Sequence, residues 1–241
     1  EGFYATCTQN IIVQDVEPPV IENCPESQIA FLDPLCTFII PDFTSAILAT
    51  DNCNQPITFI QNPAVGVILS GHNTVQNIVI EATDIHGLTT TCSFNLQVVD
   101  TLPPTIICPS DFAGEVLAGC QLWLDFNAPV LEDNCSEVNY YHDYPLGISP
   151  QDASAYYPVG TTYVTWYATD LAGNSNSCIQ TIDVADNILP TIDCPENEIV
   201  YISEDEETVY LTINPPFASD NCTLSSITND YTNSWNANGE Y

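Results

Sequence analysis

One block of text recurs along this chain, and it constrains the fold more than any single motif. It reads TDLAGNSNSCIQTIDVADNILPTIDCP from Thr169 to Pro195 and TDIHGLTTTCSFNLQVVDTLPPTIICP from Thr83 to Pro109. Its second half stands at the start as CTQNIIVQDVEPPVIENCP, Cys7 to Pro25. Matching cysteines give the period. Cys7, Cys92 and Cys178 lie 85 and 86 residues apart, and Cys24, Cys108 and Cys194 lie 84 and 86 apart. Cys53, Cys135 and Cys222, each closing an Asp-Asn-Cys triplet, lie 82 and 87 apart. A unit of about 85 residues is too long for a helical or leucine-rich repeat and suits a small sandwich domain. The text divides into 1–14, the last strand of a preceding copy; 15–99, copy one; 100–185, copy two; and 186–241, the first part of a further copy, copy three. Read this way, the chain is a piece of a longer array.

Within each copy the pattern is that of strands. Cys92, Phe94, Leu96 and Val98 share one face of the joint strand, with Ser93, Asn95 and Gln97 opposite. Ile182 and Val184 follow Cys178, and Ile11 and Val13 follow Cys7, in the same register. Alternation with period two marks a half-buried strand. Pro18-Pro19, Pro103-Pro104 or Pro190 then stiffens the joint. A second strand begins at Cys36 and Cys120, with Trp123 of outward parity. A third, IVIEATD or TYVTWYATD, places Ile78, Ile80 and Ala82, or Val164, Trp166 and Ala168, inward. Helical periodicity is absent. The expectation is all-β, about seven strands per unit, as tandem immunoglobulin-like β-sandwich domains in a linear array.

Composition narrows the partners. The chain has no Lys or Arg, 32 acidic residues and a formal charge of −32. Nucleic acid draws its affinity from Lys and Arg and is excluded as a partner; an anionic membrane surface is disfavoured on the same ground. No apolar run is long enough to insert in a bilayer. The acidic run Glu204 to Glu207 reads as a solvated loop. Eleven cysteines at recurring places, with no CxxC, read as disulfides rather than zinc ligands, which places the chain outside the reducing cytosol.

The order joint Asp, Pro-Pro, Cys-Pro, Asp-Asn-Cys, Pro-Val-Gly, Ala-Thr-Asp-x-x-Gly-Asn, Cys resembles the hyalin repeat, or HYR, module. Copy two carries nearly all of it, in LPPTIICP, EDNC, YPVG, ATDLAGN and SCIQTIDV. Copy one departs with SGHN for the Pro-Val-Gly and ATDIHGL for the Gly-Asn turn. The resemblance implies an extracellular immunoglobulin-like fold used in adhesion. Four-cysteine arrays with so few basic residues are also similar to giant surface adhesins of gliding Bacteroidetes, exported by the type IX route. HYR modules with two cysteines keep the Cys-Pro and joint-strand ones. This implies Cys24–Cys92 and Cys108–Cys178, leaving Cys36–Cys53 and Cys120–Cys135. Copy three speaks against that remainder, because it has Cys222 but no second-strand cysteine. Pairing first with third cysteines leaves no such orphan. The fates of Cys7, Cys194 and Cys222 stay open.

Candidate sites follow. In a sandwich of this kind the leading linker, the loop after the second strand and the last hairpin loop share one pole. That pole gathers Asp15, Asp51, Asn52 and Asp84 in copy one, and Asp100, Asp133, Asn134 and Asp170 in copy two; Asp186, Asp220 and Asn221 begin the set in copy three. Converging oxygens with no basic residue to pair them suit Ca²⁺. The competing account is that Asp and Asn simply hold turns through their own backbone. Tyr163 and Tyr167 have outward parity and could stack on a glycan or dock a surface ligand. Thr101, in Asp-Thr-Leu, is a candidate O-glycosylation site. His72, His86 and His142 share no spacing, so no catalytic set is formed. The expected role is a non-enzymatic stalk or filament segment of a secreted cell-surface adhesin, its partners being neighbouring repeats. The alternatives are a glycan- or protein-binding module using the aromatic face, or accessory domains of a secreted hydrolase.

Overall fold

The structure, a computed structural model, describes residues 2–53, 55–205 and 207–240, without the side chain of Glu240. It is all-β, and its residues fall into two compact units. Unit 1 comprises Glu1–Thr105, Leu131–Asn139 and Ala168–Asn176. Unit 2 comprises Ile106–Val130, Tyr140–Tyr167 and Ser177–Tyr241. Unit 1 thus holds copy one together with the three loops that form the aspartate pole of copy two.

In copy one a four-stranded sheet runs in the order Gln28–Phe31, Thr89–Val99, Thr74–Thr83, Thr58–Asn62. The first pairing is parallel, Gln28 opposite Leu96, and the others are antiparallel. The leading segment is split at Cys24-Pro25. Val20–Ile21 pairs with Ala49–Thr50, whereas Gln28–Phe31 joins the larger sheet. Proline donates no backbone hydrogen bond, so the break falls there. A further pair, Thr37–Ile39 with Ile68–Ser70, supplies Leu69 and the adjoining Ile40 to the core. The inward set read from alternation is buried: Ile78, Ile80, Ala82, Phe94, Leu96 and Val98. Pro19 and Pro104 are also fully buried, so these linker prolines pack as well as stiffen.

Copy two repeats the order as Phe112–Glu115, Ser175–Ala185, Gly160–Thr169, Asn139–His142. The core of unit 2 centres on Trp166 and Tyr157, with Val164, Ile182, Val184 and Leu124. Its polar atoms are satisfied. Trp166 Nε1 donates to Gln180 Oε1 at 3.2 Å, and the Tyr157 hydroxyl donates to the Ala153 carbonyl at 2.7 Å.

The strand expected at Cys7 to Val13 is not formed. Ile11 and Val13 are exposed, and this segment has no hydrogen-bonded neighbour strand among the described residues. Alternation alone does not make a strand without a partner edge. From residue 187 onward none of the described residues is buried, and pairing is confined to Thr191–Asp193 with Phe217–Ser219 and Tyr210–Leu211 with Gly239–Glu240. In the acidic run Glu204, Asp205 and Glu207 are exposed, and Glu206 lies outside the described residues. No helix among the described residues is long and apolar enough to cross a membrane.

Candidate functional site

Sheet strands deliver the aspartates to their poles. Strand Thr74–Thr83 runs straight into a tight turn in which Asp84 N–H donates to the Leu88 carbonyl and Gly87 N–H to the Asp84 carbonyl. Strand Gly160–Thr169 repeats this with Asp170, Asn174 and Gly173. Gly87 and Gly173 have φ of 85° and 91°, a left-handed conformation that a side chain would resist. The Asp-x-x-Gly spacing therefore places each carboxylate at a fixed strand end.

One oxygen of each aspartate holds its own loop. Asp84 Oδ1 accepts from His86 and Leu88 N–H, both at 2.8 Å. Asp51 Oδ1 accepts from Cys53 N–H at 2.9 Å, and Asp15 Oδ1 from Glu17 N–H at 3.2 Å. In copy two Asp100 Oδ1 accepts from Leu102 N–H, Asp133 Oδ2 from Cys135 and Ser136 N–H, and Asp170 Oδ1 from Asn174 N–H. This is the turn chemistry expected of Asp. It leaves the second oxygen of five of the six unexplained, Asp170 Oδ2 being met by the Asn174 amide. Asp15 Oδ2, Asp51 Oδ2, Asp84 Oδ2, Asp100 Oδ2 and Asp133 Oδ1 are buried and accept no hydrogen bond from the described residues.

Carboxylate oxygens of Asp100, Asp133 and Asp170 lie within 4.8 Å of one another. In copy one two such groups share Asp15: one with Asp51 and the Cys53 thiol, the other with Asp84 and His86. His86 Nδ1 stands 3.4 Å from Asp15 Oδ2. The Glu17 backbone N–H holds the Asp15 carboxyl below the usual carboxylate range, and that carboxylate in turn pushes the Cys53 thiol up.

The amide nitrogens of the triplet asparagines also reach acceptors outside these groups. Asn52 Nδ2 donates to Glu17 Oε2 at 3.1 Å, and Asn134 Nδ2 to the Asp33 carbonyl at 3.3 Å. In copy three Asn221 Nδ2 donates to Asp186 Oδ1 and to the Gly119 carbonyl, Asp220 Oδ1 accepts from Cys222 N–H, and Asn221 Oδ1 is left buried without a partner. Asp186 and Asp220 belong to no three-ligand group among the described residues. The third carboxylate in copies one and two comes from the Ala-Thr-Asp hairpin, text that 187–241 does not contain.

One residue that sequence reasoning quoted without assigning matters here. Asn174 Nδ2 donates to Asp170 Oδ2 at 2.9 Å and reaches the carbonyls of Asp100 and Leu102 at 3.4 and 3.3 Å. Copy one has Leu88 at the matching place. The Gly-Asn to Gly-Leu departure was the available signal.

The disulfides require a correction. Cys24 is bonded to Cys92 and Cys108 to Cys178, the pairs that the resemblance implies. Neither Cys36–Cys53 nor Cys120–Cys135 exists. Cys36 is bonded to Cys135 and Cys120 to Cys222, so each second-strand cysteine reaches the Asp-Asn-Cys triplet of the next copy. The reason is strand length. Cys36 lies near Val99, where Leu32 N–H donates to the Val99 carbonyl, while Cys53 lies with Asp15 at the Asp84 end. Strand Thr74–Thr83 spans that interval with its 10 residues, about 30 Å at ~3.3 Å per residue, against the ~4.4–6.8 Å that a bridge tolerates between Cα atoms. The loop carrying Cys36 is itself held. Asp33 Oδ1 accepts from Leu35 and Thr37 N–H, both at 2.9 Å, and Cys36 takes a left-handed φ of 58°. Cys7, Cys53 and Cys194 are free and exposed.

Elsewhere Tyr163 is exposed, while Tyr167 is half-buried and stacks on Tyr141 with centroids 4.9 Å apart. Trp123 is exposed, as its parity requires, and meets Tyr156 edge-on. Thr101 is exposed beside Asp100. His72 Nδ1 accepts from Asp100 N–H, and His142 lies buried against Trp166 with Nε2 at 2.8 Å from the Ser149 carbonyl.

Comparison with known proteins gives three findings. Residues 99–184 match the family model of the HYR domain. Hyalin of Strongylocentrotus purpuratus is 32% identical over 146 residues, covering 58% of this chain and 12% of that protein. Hyalin of Lytechinus variegatus is 25% identical over 221 residues, covering 89% of this chain and 40% of that protein, so the chain spans less than half of either relative. Among solved structures, mouse cadherin-23 EC22-24 aligns with a TM-score of 0.38 at 15% identity, covering 84% of this chain and 78% of that one. Protocadherin gamma B2 domains 1-5 align at 0.37 and 17%, covering 84% and 46%.

Proposed function

Starting from residues 99–184 as an HYR domain, a module of the cell-adhesion type, we propose that this chain is a non-enzymatic, disulfide-stapled structural segment of an extracellular adhesive protein. Its copies transmit load and hold a binding region away from the surface that bears them. The observation that carries this reading is the pair of bonds Cys36–Cys135 and Cys120–Cys222. A bond inside a domain stabilises that domain; a bond from one copy to the next fastens the series. In this scheme Cys53 receives the same kind of bond from the second strand of a copy ahead of copy one. Extracellular placement accords with four disulfides, which persist outside the reducing cytosol. Within that class the reading extends to the gliding-type adhesins of Bacteroidetes that the four-cysteine pattern resembles, with Thr101 as an O-glycan acceptor.

Force–extension measurement tests it. With all four bonds intact, the shortest covalent path from Cys24 to Cys222 runs only through residues 24–36 and 120–135. That path stretches to about 100 Å, whereas the fully reduced chain between the same residues stretches to about 700 Å. Equal extension before and after reduction would remove the stapled-segment reading.

A second reading, a glycan- or protein-binding module, is favoured by the exposure of Tyr163, Trp123 and Tyr156. Loss of ligand from a glycan array on changing Tyr163→Ser and Tyr167→Ser, with the fold retained, would establish it.

A further inference from the structure

We propose that the aspartate poles of unit 1 are binding sites for a hard divalent cation of the Ca²⁺ class, one built by Asp100, Asp133 and Asp170 and its counterpart by Asp15, Asp51 and Asp84. Four observations carry this beyond the structural reading above, on which it does not depend.

First, the oxygens converge. Those of Asp100, Asp133 and Asp170 lie within 4.8 Å of one another, and Asp15 is grouped with Asp51 and with Asp84 at the same limit. Second, the convergence is buried and unanswered. Asp100 is 4% exposed and Asp84 7%, and each has its Oδ2 buried with no hydrogen-bond partner among the described residues. A buried carboxylate oxygen without a donor is costly, and a cation is the partner such a group takes. Third, aim is fixed in advance. The opposite oxygen of each residue accepts backbone N–H groups of its own loop, so the carboxylates cannot simply swing into solvent without breaking those turns. Fourth, the chain has no Lys or Arg to neutralise the cluster, and Asp15, Asp51 and Asp84 stand at the copy-one positions that match Asp100, Asp133 and Asp170, with Asp15 shared by both copy-one groups.

Turn formation accounts for both oxygens of Asp170 but for only one oxygen of each of the other five aspartates. Ligand chemistry then selects the ion. The copy-two set is wholly oxygen, which suits a hard cation completing six to eight ligands with carbonyls and water, and disfavours zinc. At the copy-one pole His86 and Cys53 lie close, yet the orphaned atoms are carboxylate oxygens there too. Each site would tie three loops distant in sequence, and in copy two Asp133 lies two residues from the Cys135 bridge.

The test is calorimetric titration of the oxidised full chain with CaCl₂ after chelation, alongside melting with CaCl₂ or EDTA. Two binding events and a midpoint raised by CaCl₂ are expected. Asp100→Asn should abolish one event and leave the melt in EDTA unchanged or higher, because a repelling charge is lost while Oδ1 still accepts its N–H. Asp133→Asn should do the same from a less buried position. No heat and identical midpoints at millimolar CaCl₂ would overturn the proposal. So would Asp100→Asn and Asp133→Asn lowering the midpoint equally with and without CaCl₂, or ZnCl₂ binding in preference to CaCl₂. Force–extension depends on sulfur bonds and not on the cation, so failure here leaves the stapled-segment reading standing.

Discussion

The copies share one text and complete it differently. At the copy-two pole Asn174 donates to Asp170 Oδ2, and Cys135 is bonded to Cys36; two carboxylate oxygens remain unanswered, those of Asp100 and Asp133. At the copy-one pole Leu88 replaces the asparagine, Cys53 is free, and three oxygens remain, those of Asp15, Asp51 and Asp84. The cores diverge as well. Where Phe38 pairs with Leu69 in copy one, Leu122 pairs with Tyr157 in copy two. A fully buried hydroxyl thus sits where copy one has hydrocarbon. A side-chain amide and a sulfur bond hold loops of the copy-two pole that copy one holds without either.

The largest expected separation of the copies is at alkaline pH. Burial pushes the Tyr157 hydroxyl well above its ordinary value near 10, with the neighbouring Tyr144 adding to the effect. A folded-state pKa above the unfolded one means that stability is fully present below pH ~10 and is lost as pH rises toward the folded value. Unit 2 should therefore unfold with rising alkalinity while the core around Leu69 does not share this cause. Near-ultraviolet circular dichroism of Trp166 reports it, and Tyr157→Phe should move the midpoint upward. An unmoved midpoint would show that Tyr157 is not the group responsible.

Next in size is the sulfur bond. Cys135→Ser should lower stability to denaturant by about 2–5 kcal/mol, the usual cost of losing a native bridge from a small secreted domain. Cys53→Ser at the other pole should change it by less than about 0.5 kcal/mol, since Cys53 is unbonded and exposed. Comparable losses from both would mean that the two poles are held alike.

Much of this was legible in the text. Alternation identified Ile78, Ile80, Phe94, Leu96 and Val98 as core because side-chain direction in a strand depends only on parity. The poles were legible because sandwich connections fix which loops share an end. Spacing could not give Cys36–Cys135, since proximity along the chain says nothing about which end of a strand a residue occupies. The orphan Cys222 of copy three, which lacks a second-strand cysteine, was the visible clue; its partner is Cys120 of the copy before. Nor could sequence show that each aspartate divides its two oxygens between its own turn and the cluster, because that division is set by side-chain orientation.

Asn174→Leu converts the copy-two pole toward copy one. It removes the donor to Asp170 Oδ2, on a buried residue, and to the carbonyls of Asp100 and Leu102. A loss of about 1–3 kcal/mol is expected in denaturant melts in EDTA. If the pole binds Ca²⁺, part of that loss should be recovered in CaCl₂.

The reverse change, Leu88→Asn, is the smallest and most discriminating. Leu88 N–H already donates to Asp84 Oδ1 in the geometry that Asn174 N–H uses with Asp170, so the backbone is ready for the amide. An amide there would answer Asp84 Oδ2, one of the three orphaned oxygens, for a gain of about 0.5–1.5 kcal/mol in EDTA. In CaCl₂ the gain should shrink, because the amide and the cation answer the same oxygen. An equal gain in both media would mean that Asp84 Oδ2 takes no part in cation binding and would confine the copy-one site to Asp15 and Asp51. A loss in both would mean that the Gly-Leu turn is adapted to its own side chain, and that copy one departs from copy two for packing rather than for charge.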